Sequence, residues 1–222
     1  MKIIAPSYEI MFIPDITELL QRIELAGRTC YKSEDKITDQ SARAFVRRII
    51  ASGHLSVIEH IHITIKFIID RGVSHELVRH RLASYSQEST RYANYSKNKF
   101  GNEITVIRPC FWEESSPEYA QWKQAMADTE KIYLKLIDMG ARPEQARSVL
   151  PNSLKTEVVM TCNLREMRHI LALRCSKAAH PQIREVMQPL LKEMHEKIPV
   201  IFDDVHQTIF QDIQKREKDI QG

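Results

Sequence analysis

The stretch RHRLASYSQESTRY, residues 79–92, brings Arg79, Arg81 and Arg91 together with His80, Glu88 and four Ser or Thr hydroxyls. Guanidinium forks donate two parallel hydrogen bonds, which suits a phosphate or the edge of a pyrimidine. Arg147, Arg165 and Arg174 lie far away in sequence, near other expected element ends. Donors spread in this way suggest one shared anion site, although a solvated basic helix would leave the same spacing. On the helix expected from residue 163, Asn163 and Arg174 are eleven residues apart and return to nearly one face. Arg165 and His169 share a face at i and i+4, and Glu76 can pair with Arg79 and His80 at i+3 and i+4.

Other site types are constrained by what the chain lacks. Its six glycines, at 27, 53, 72, 101, 140 and 222, build neither a P-loop nor a G-x-G-x-x-G turn, so phosphate must be held by side chains and ordinary backbone. SHELVRH at 74–80 nearly spells a zinc-protease signature, but His75 and His80 are five residues apart and point away from each other on a helix. Five of the nine histidines fall at 54, 60, 62, 75 and 80. His54, His60 and His62 therefore keep open a nucleotide-directed metal hydrolase, beside the simpler reading of hydrogen-bonded histidines on a polar face. The four cysteines, at 30, 110, 162 and 175, form no C-x-x-C pair and read as free thiols.

A net charge of +3 is too mild to require nucleic acid, which usually demands a concentrated basic face, although a basic nucleic-acid-binding module stays open as an alternative. No apolar run approaches the ~20 residues needed to span a bilayer, and MKIIAPSYEI is not a secretory signal, so a cytoplasmic location without membrane partners is expected. With 222 residues the chain can bury its own core.

The absence of repeats and of linkers rich in Gly, Pro or Ser predicts one continuous domain over 1–222, with 214–222 fraying. A β segment is expected at 2–13, then a helix capped by Asp15 and running to about Gly27, and a second helix at 39–52. Ile61, Ile63, Ile65, Phe67 and Ile69 alternate with His62, Thr64 and Lys66, which is a strand with one buried face. Helices are expected at 73–80, at 117–139 before Gly140, and at 143–149, 163–174 and 181–197; strands are expected at 103–108 and 154–161. Gln87, Ser89, Thr90 and Arg91 read as loop. The fold class is α/β in the α+β sense.

RHR followed by seven residues and Ser89 resembles the R-H-R-x7-S signature of the flavin-dependent thymidylate synthases, the ThyX family, and YSQESTRY continues it. The resemblance extends upstream to GHLSVIEH, similar to that family's G-H-x-[ST]-x-x-E-H segment, and downstream to ARSVLP, NLREMRHIL and LALR, covering most of residues 50–175. It implies a central, mostly antiparallel sheet flanked by helices, and a homotetramer whose active sites are shared between protomers. It implies synthesis of dTMP from dUMP, with carbon from 5,10-methylenetetrahydrofolate, hydride from FAD reduced by NADPH, and release of tetrahydrofolate.

Carried over residue by residue, the resemblance implies dUMP contacts at Glu76, Leu77, Val78, Arg79, Gln87, Glu88, Ser89, Thr90, Arg91, Arg147 and Arg174, with the backbone of 88–91 near the phosphate. It implies FAD contacts at Ser56, Glu59, Arg79, His80, Arg81, Gln87, Asn163, Leu164, Arg165 and His169, and a place for His54 near flavin and folate. Arg174 and His54 are the catalytic candidates, and no metal is expected. Ser89 has no histidine at a recognisable triad spacing, so it is expected to bind substrate.

Overall fold

The computed structural model describes the backbone of residues 1–221, and the side chains within it apart from those of Lys99 and residues 212–221. The expected opening strand is broken at Pro6, which has no N–H to donate to a ladder. Its halves are β1 (Lys2–Ile4) and β2 (Ser7–Phe12). β1 pairs in parallel with β5 (Thr105–Ile107), while β2 joins β3 (His62–Asp70), β6 (Lys155–Asn163) and β4 (Ala83–Gln87) in an antiparallel sheet of order β2-β3-β6-β4.

β3 follows the alternation in the sequence: Ile63, Ile65, Phe67 and Ile69 are buried, and from the opposite face Thr64 Oγ1 meets Thr161 Oγ1 of β6 at 2.9 Å. β4 is a finding the sequence reading missed. Its residues ASYSQ are short and hydroxyl-rich, a composition shared with turns, and only pairing within the sheet makes them a strand.

Asp15 caps α1 (Ile16–Tyr31), its carboxylate accepting from the N–H groups of Thr17 and Glu18 at 2.9 and 3.1 Å. The helix does not stop at Gly27; it runs to Tyr31 and ends at Lys32 in the left-handed conformation. Gly27 serves close packing against α2 (Ser41–Ala51), because a Cβ there would lie 2.6 Å from the Phe45 ring. Gly27→Val should therefore lower the unfolding free energy by about 1–3 kcal/mol through overpacking, measured by urea titration. An unchanged midpoint would contradict that account.

The remaining helices are α3 (Arg71–Leu77), α4 (Pro117–Asp138), α5 (Pro143–Ala146), α6 (Leu164–Arg174), α7 (Pro181–Lys197) and α8 (Pro199–Gln221). Past α4, Gly140 takes φ 92°, a conformation suited to glycine. The helix expected at 143–149 divides into α5 and a 3-10 turn at Arg147–Val149. α8 was not foreseen; the fraying expected at 214–222 lies outside the described side chains. Arg168 of α6 ties α8 down with two bonds of 2.7 Å to the Asp204 carboxylate and another to the Ile201 carbonyl.

The contacts of the chain group into two compact units. The first comprises Met1–Glu9, Lys66–Arg79 and Tyr85–Met160; the second comprises Ile10–Ile65, His80–Ser84 and the chain from Thr161 onward. In the first, Tyr95, Ile104, Val106, Tyr133 and Leu154 belong to a buried apolar cluster. In the second, Leu19, Ile23, Phe45, Ile58, Met167, Leu190 and Phe202 are buried. Among the described residues no helix is long and apolar enough to cross a membrane.

Candidate active site

The residues expected to touch dUMP fall in the first unit except Arg174, and those expected to touch FAD fall in the second except Arg79 and Gln87. In the first unit, β4 delivers Gln87 to a fixed position. Ser74 Oγ gives its proton to the Arg71 carbonyl at 2.8 Å, so its oxygen accepts from Gln87 Nε2 at 3.0 Å, and Thr156 Oγ1 lies 3.2 Å from the same nitrogen. This sets the amide's orientation.

Directly after β4, Ser89 organises a tight turn. Its hydroxyl accepts from the Arg91 N–H at 3.3 Å, and its carbonyl accepts from the amides of Tyr92 and Ala93. Thr90 is buried and accepts from Arg147 Nη1 at 3.4 Å, so two residues expected to share a ligand do converge. Arg91 is exposed, with Nε 3.7 Å from Glu144, a weak pair that leaves the side chain adjustable.

Glu88 is committed to the protein. Its carboxylate meets Lys155 Nζ at 2.9 Å and Tyr95 Oη at 3.3 Å, and its N–H donates to the Glu157 carbonyl. Burial, followed by the Glu88 charge and its hydrogen bond, pushes the Tyr95 phenol well above its ordinary range, so Tyr95 stays protonated and donates. Leu77 is fully buried with its carbonyl accepting from Tyr85, whereas Val78 and Arg79 are exposed. α3 ends at Leu77, so the pairing of Glu76 with Arg79 and His80 along one helix does not apply.

In the second unit, a cleft of about 390 Å³ is lined by His54, Ser56 and Arg165 together with Gly27, Cys30 and Gly53. Arg165 also pairs with Glu59 at 2.6 Å. Three expected residues thus line one opening, and a fourth, Glu59, is joined to it through Arg165. His60 and His62 line a different cleft with Asp15, Glu18 and Arg22, and among the described residues no three His, Cys, Asp or Glu side chains are placed to hold a metal ion. The metal-hydrolase alternative has no support in this geometry.

Asn163 is not on the helical face of Arg174. It is the N-cap of α6, its side-chain oxygen accepting from the Glu166 N–H at 2.8 Å. Leu164 is buried and donates its N–H to the Ile61 carbonyl. At the other end of α6, Arg174 Nε donates to His80 Nε2 at 2.9 Å. His80 is buried, packs edge-on against His169 with ring centroids 5.7 Å apart, and has Nδ1 3.5 Å from Glu166. Burial, then the Arg174 and His169 charges, lowers the His80 pKa to about 4, so the ring is neutral near pH 7. His169 and Arg81 are exposed.

The family profile described as thymidylate synthase complementing protein matches residues 14–200. The chain belongs to this family. Relatives called flavin-dependent thymidylate synthase come from Pyrococcus abyssi, 37% identical over 73% of this chain and 66% of its own length, and from Geobacter sulfurreducens, 35% identical over 82% and 80%. The chain thus spans just under two thirds of the first of these. A crystal structure of the UMP/dUMP methylase PolB from Streptomyces cacaoi, bound with 5-Br dUMP, shares the fold: TM-score 0.74 at 23% identity, covering 91% of this chain and 96% of that one.

For a member of the thymidylate synthase complementing protein family, the unforeseen residues are Ser74, Thr156, Lys155 and Glu166, which hold expected site residues in place. Only Glu166 left a trace in the sequence, since Asn163-x-x-Glu166 has the spacing of an N-cap and its third helical residue.

Proposed function

We propose that the chain is an FAD-dependent methyltransferase that converts dUMP to dTMP. Methylenetetrahydrofolate, NADPH, a proton and dUMP give dTMP, tetrahydrofolate and NADP+. The observation that carries this reading is the family match over residues 14–200, which includes every residue proposed for the site. The cleft of His54, Ser56 and Arg165 offers an imidazole, a hydroxyl and a guanidinium, a donor set that fits the anionic and hydrogen-bonding groups of FAD. In this reading Glu59, Arg79, Arg81, Gln87, Asn163 and His169 are further FAD contacts, with buried His80 and Leu164 acting mainly as support. FAD held by these residues would supply the hydride, with NADPH as the source of its two electrons.

Arg79, Gln87, Ser89, Thr90, Arg91 and Arg147 bind dUMP, and Glu76, Leu77, Val78 and Glu88 shape the segments that carry them. The Ser89 turn and its neighbouring guanidinium groups take the phosphate. Arg174 stabilises negative charge on the uracil as C5 gains electron density. The working form is a homotetramer in the cytoplasm, each site sharing residues from several protomers. An absorption spectrum tests the flavin requirement: the purified protein should show an oxidised flavin band that bleaches with NADPH under anaerobic conditions. A colourless protein that no added FAD turns active contradicts the proposal.

A thiol is not required in this scheme. Cys162 and Cys175 are buried, and burial pushes both thiols up to about 12, with the Glu166 charge adding to the shift at Cys162. Thiolate nucleophiles need the opposite shift. Replacing all four cysteines by serine or alanine should leave dTMP turnover within about tenfold of the parent, a change of about 1.4 kcal/mol attributable to packing. Loss of turnover in a folded, FAD-loaded variant would return covalent catalysis to consideration.

A further inference from the structure

The contact between Arg174 and His80 dictates the state of the imidazole. Arginine Nε always carries a hydrogen, so His80 Nε2, 2.9 Å away, must be the acceptor. The ring is then neutral with its proton on Nδ1, and Nδ1 faces Glu166 Oε1 at 3.5 Å. Both side chains are nearly shut off from water, at 5% and 8% exposure. Were Glu166 to present a proton instead, Nδ1 would have to accept it and Nε2 would carry a hydrogen. Two N–H donors would then face each other at Arg174. Glu166 must therefore turn an acceptor oxygen toward Nδ1.

Glu166 is itself held in place, because its backbone N–H is the one capped by Asn163 at 2.8 Å. The N-terminal turn of α6 and its last residue, Arg174, are thereby linked through His80, a ring contributed by a separate segment of the chain. We infer that Glu166 is a positioning residue: its carboxylate holds the Nδ1 proton of His80, which obliges Nε2 to accept from Arg174 and fixes the guanidinium. The kinetic consequence rests on the role proposed for Arg174; the tautomer of His80 does not.

The test compares Glu166→Gln, which keeps an acceptor oxygen, with Glu166→Leu, which removes it. Nitrogen NMR of ¹⁵N-histidine-labelled protein reads the His80 tautomer, and steady-state assays with dUMP read kcat and KM. Wild type and Glu166→Gln should carry the proton on Nδ1, with kcat of the glutamine variant within about threefold of wild type. In Glu166→Leu the Nε2–H form should gain population, and kcat at saturating dUMP should fall at least about tenfold while FAD content stays normal.

A wild-type ring protonated on Nε2 overturns the inference, as do glutamine and leucine variants that are equally impaired with the tautomer intact. If the leucine variant does not fold, the wild-type and glutamine tautomers decide. A wild type that makes no dTMP refutes the proposed function, and the NMR comparison still judges Glu166.

Discussion

Replacing Arg174 by alanine should lower dTMP turnover by at least about a hundredfold while the spectrum of bound FAD keeps its shape, the scale on which one preorganised charge donor acts in a transition state. The size of the effect follows from preorganisation. Arg174 sits on the last residue of α6, and its Nε is fixed by a hydrogen bond to a buried, neutral imidazole. A guanidinium held before the reaction needs no reorganisation as charge builds on the uracil. Alanine removes that charge and frees the imidazole of His80. Because the loss is concentrated in the transition state, kcat should fall more than the affinity for dUMP. Near-normal turnover in an FAD-loaded Arg174→Ala protein would mean that another residue stabilises the pyrimidine charge.

A second large effect is expected from mixing two inactive proteins. Arg91→Ala and Arg174→Ala should each be nearly dead alone, and should recover part of the activity when unfolded and reassembled together. Closed homo-oligomers build repeated equivalent sites, so if the sites of the proposed tetramer are shared, a mixed assembly holds some with an intact Arg91 from one protomer and an intact Arg174 from another. Arg91 is exposed and only loosely paired with Glu144, as suits a side chain that completes a site elsewhere in an assembly. A mixture that stays inactive despite demonstrated subunit exchange would place both arginines in the same protomer's site.

Several features could be read from the sequence because they obey local rules. The alternation from Ile61 to Ile69 is a consequence of the two-residue period of a strand, and Asp15 satisfies the first free N–H groups of α1. Gly27 was misleading because a glycine that ends a helix and a glycine that admits a neighbouring ring look alike in sequence. Only the Phe45 contact tells them apart. An eleven-residue spacing would put Asn163 and Arg174 on one helical face, but Asn163 lies one residue before α6, as a cap whose side chain turns back to the backbone. The grouping of His54, Ser56, Glu59 and Arg165 was legible only through family resemblance, since Arg165 comes from a distant segment. Glu166 had no such signal for its role. Its significance depends on His80, which approaches from a different part of the chain.

The most direct measurement is the identity of the folate product in a single turnover with dUMP, 5,10-methylenetetrahydrofolate and enzyme prereduced by NADPH. If the hydride comes by way of the flavin, dTMP and tetrahydrofolate should appear in equal amounts as the flavin absorbance returns. Formation of dihydrofolate, or of dTMP without flavin reoxidation, would contradict the account.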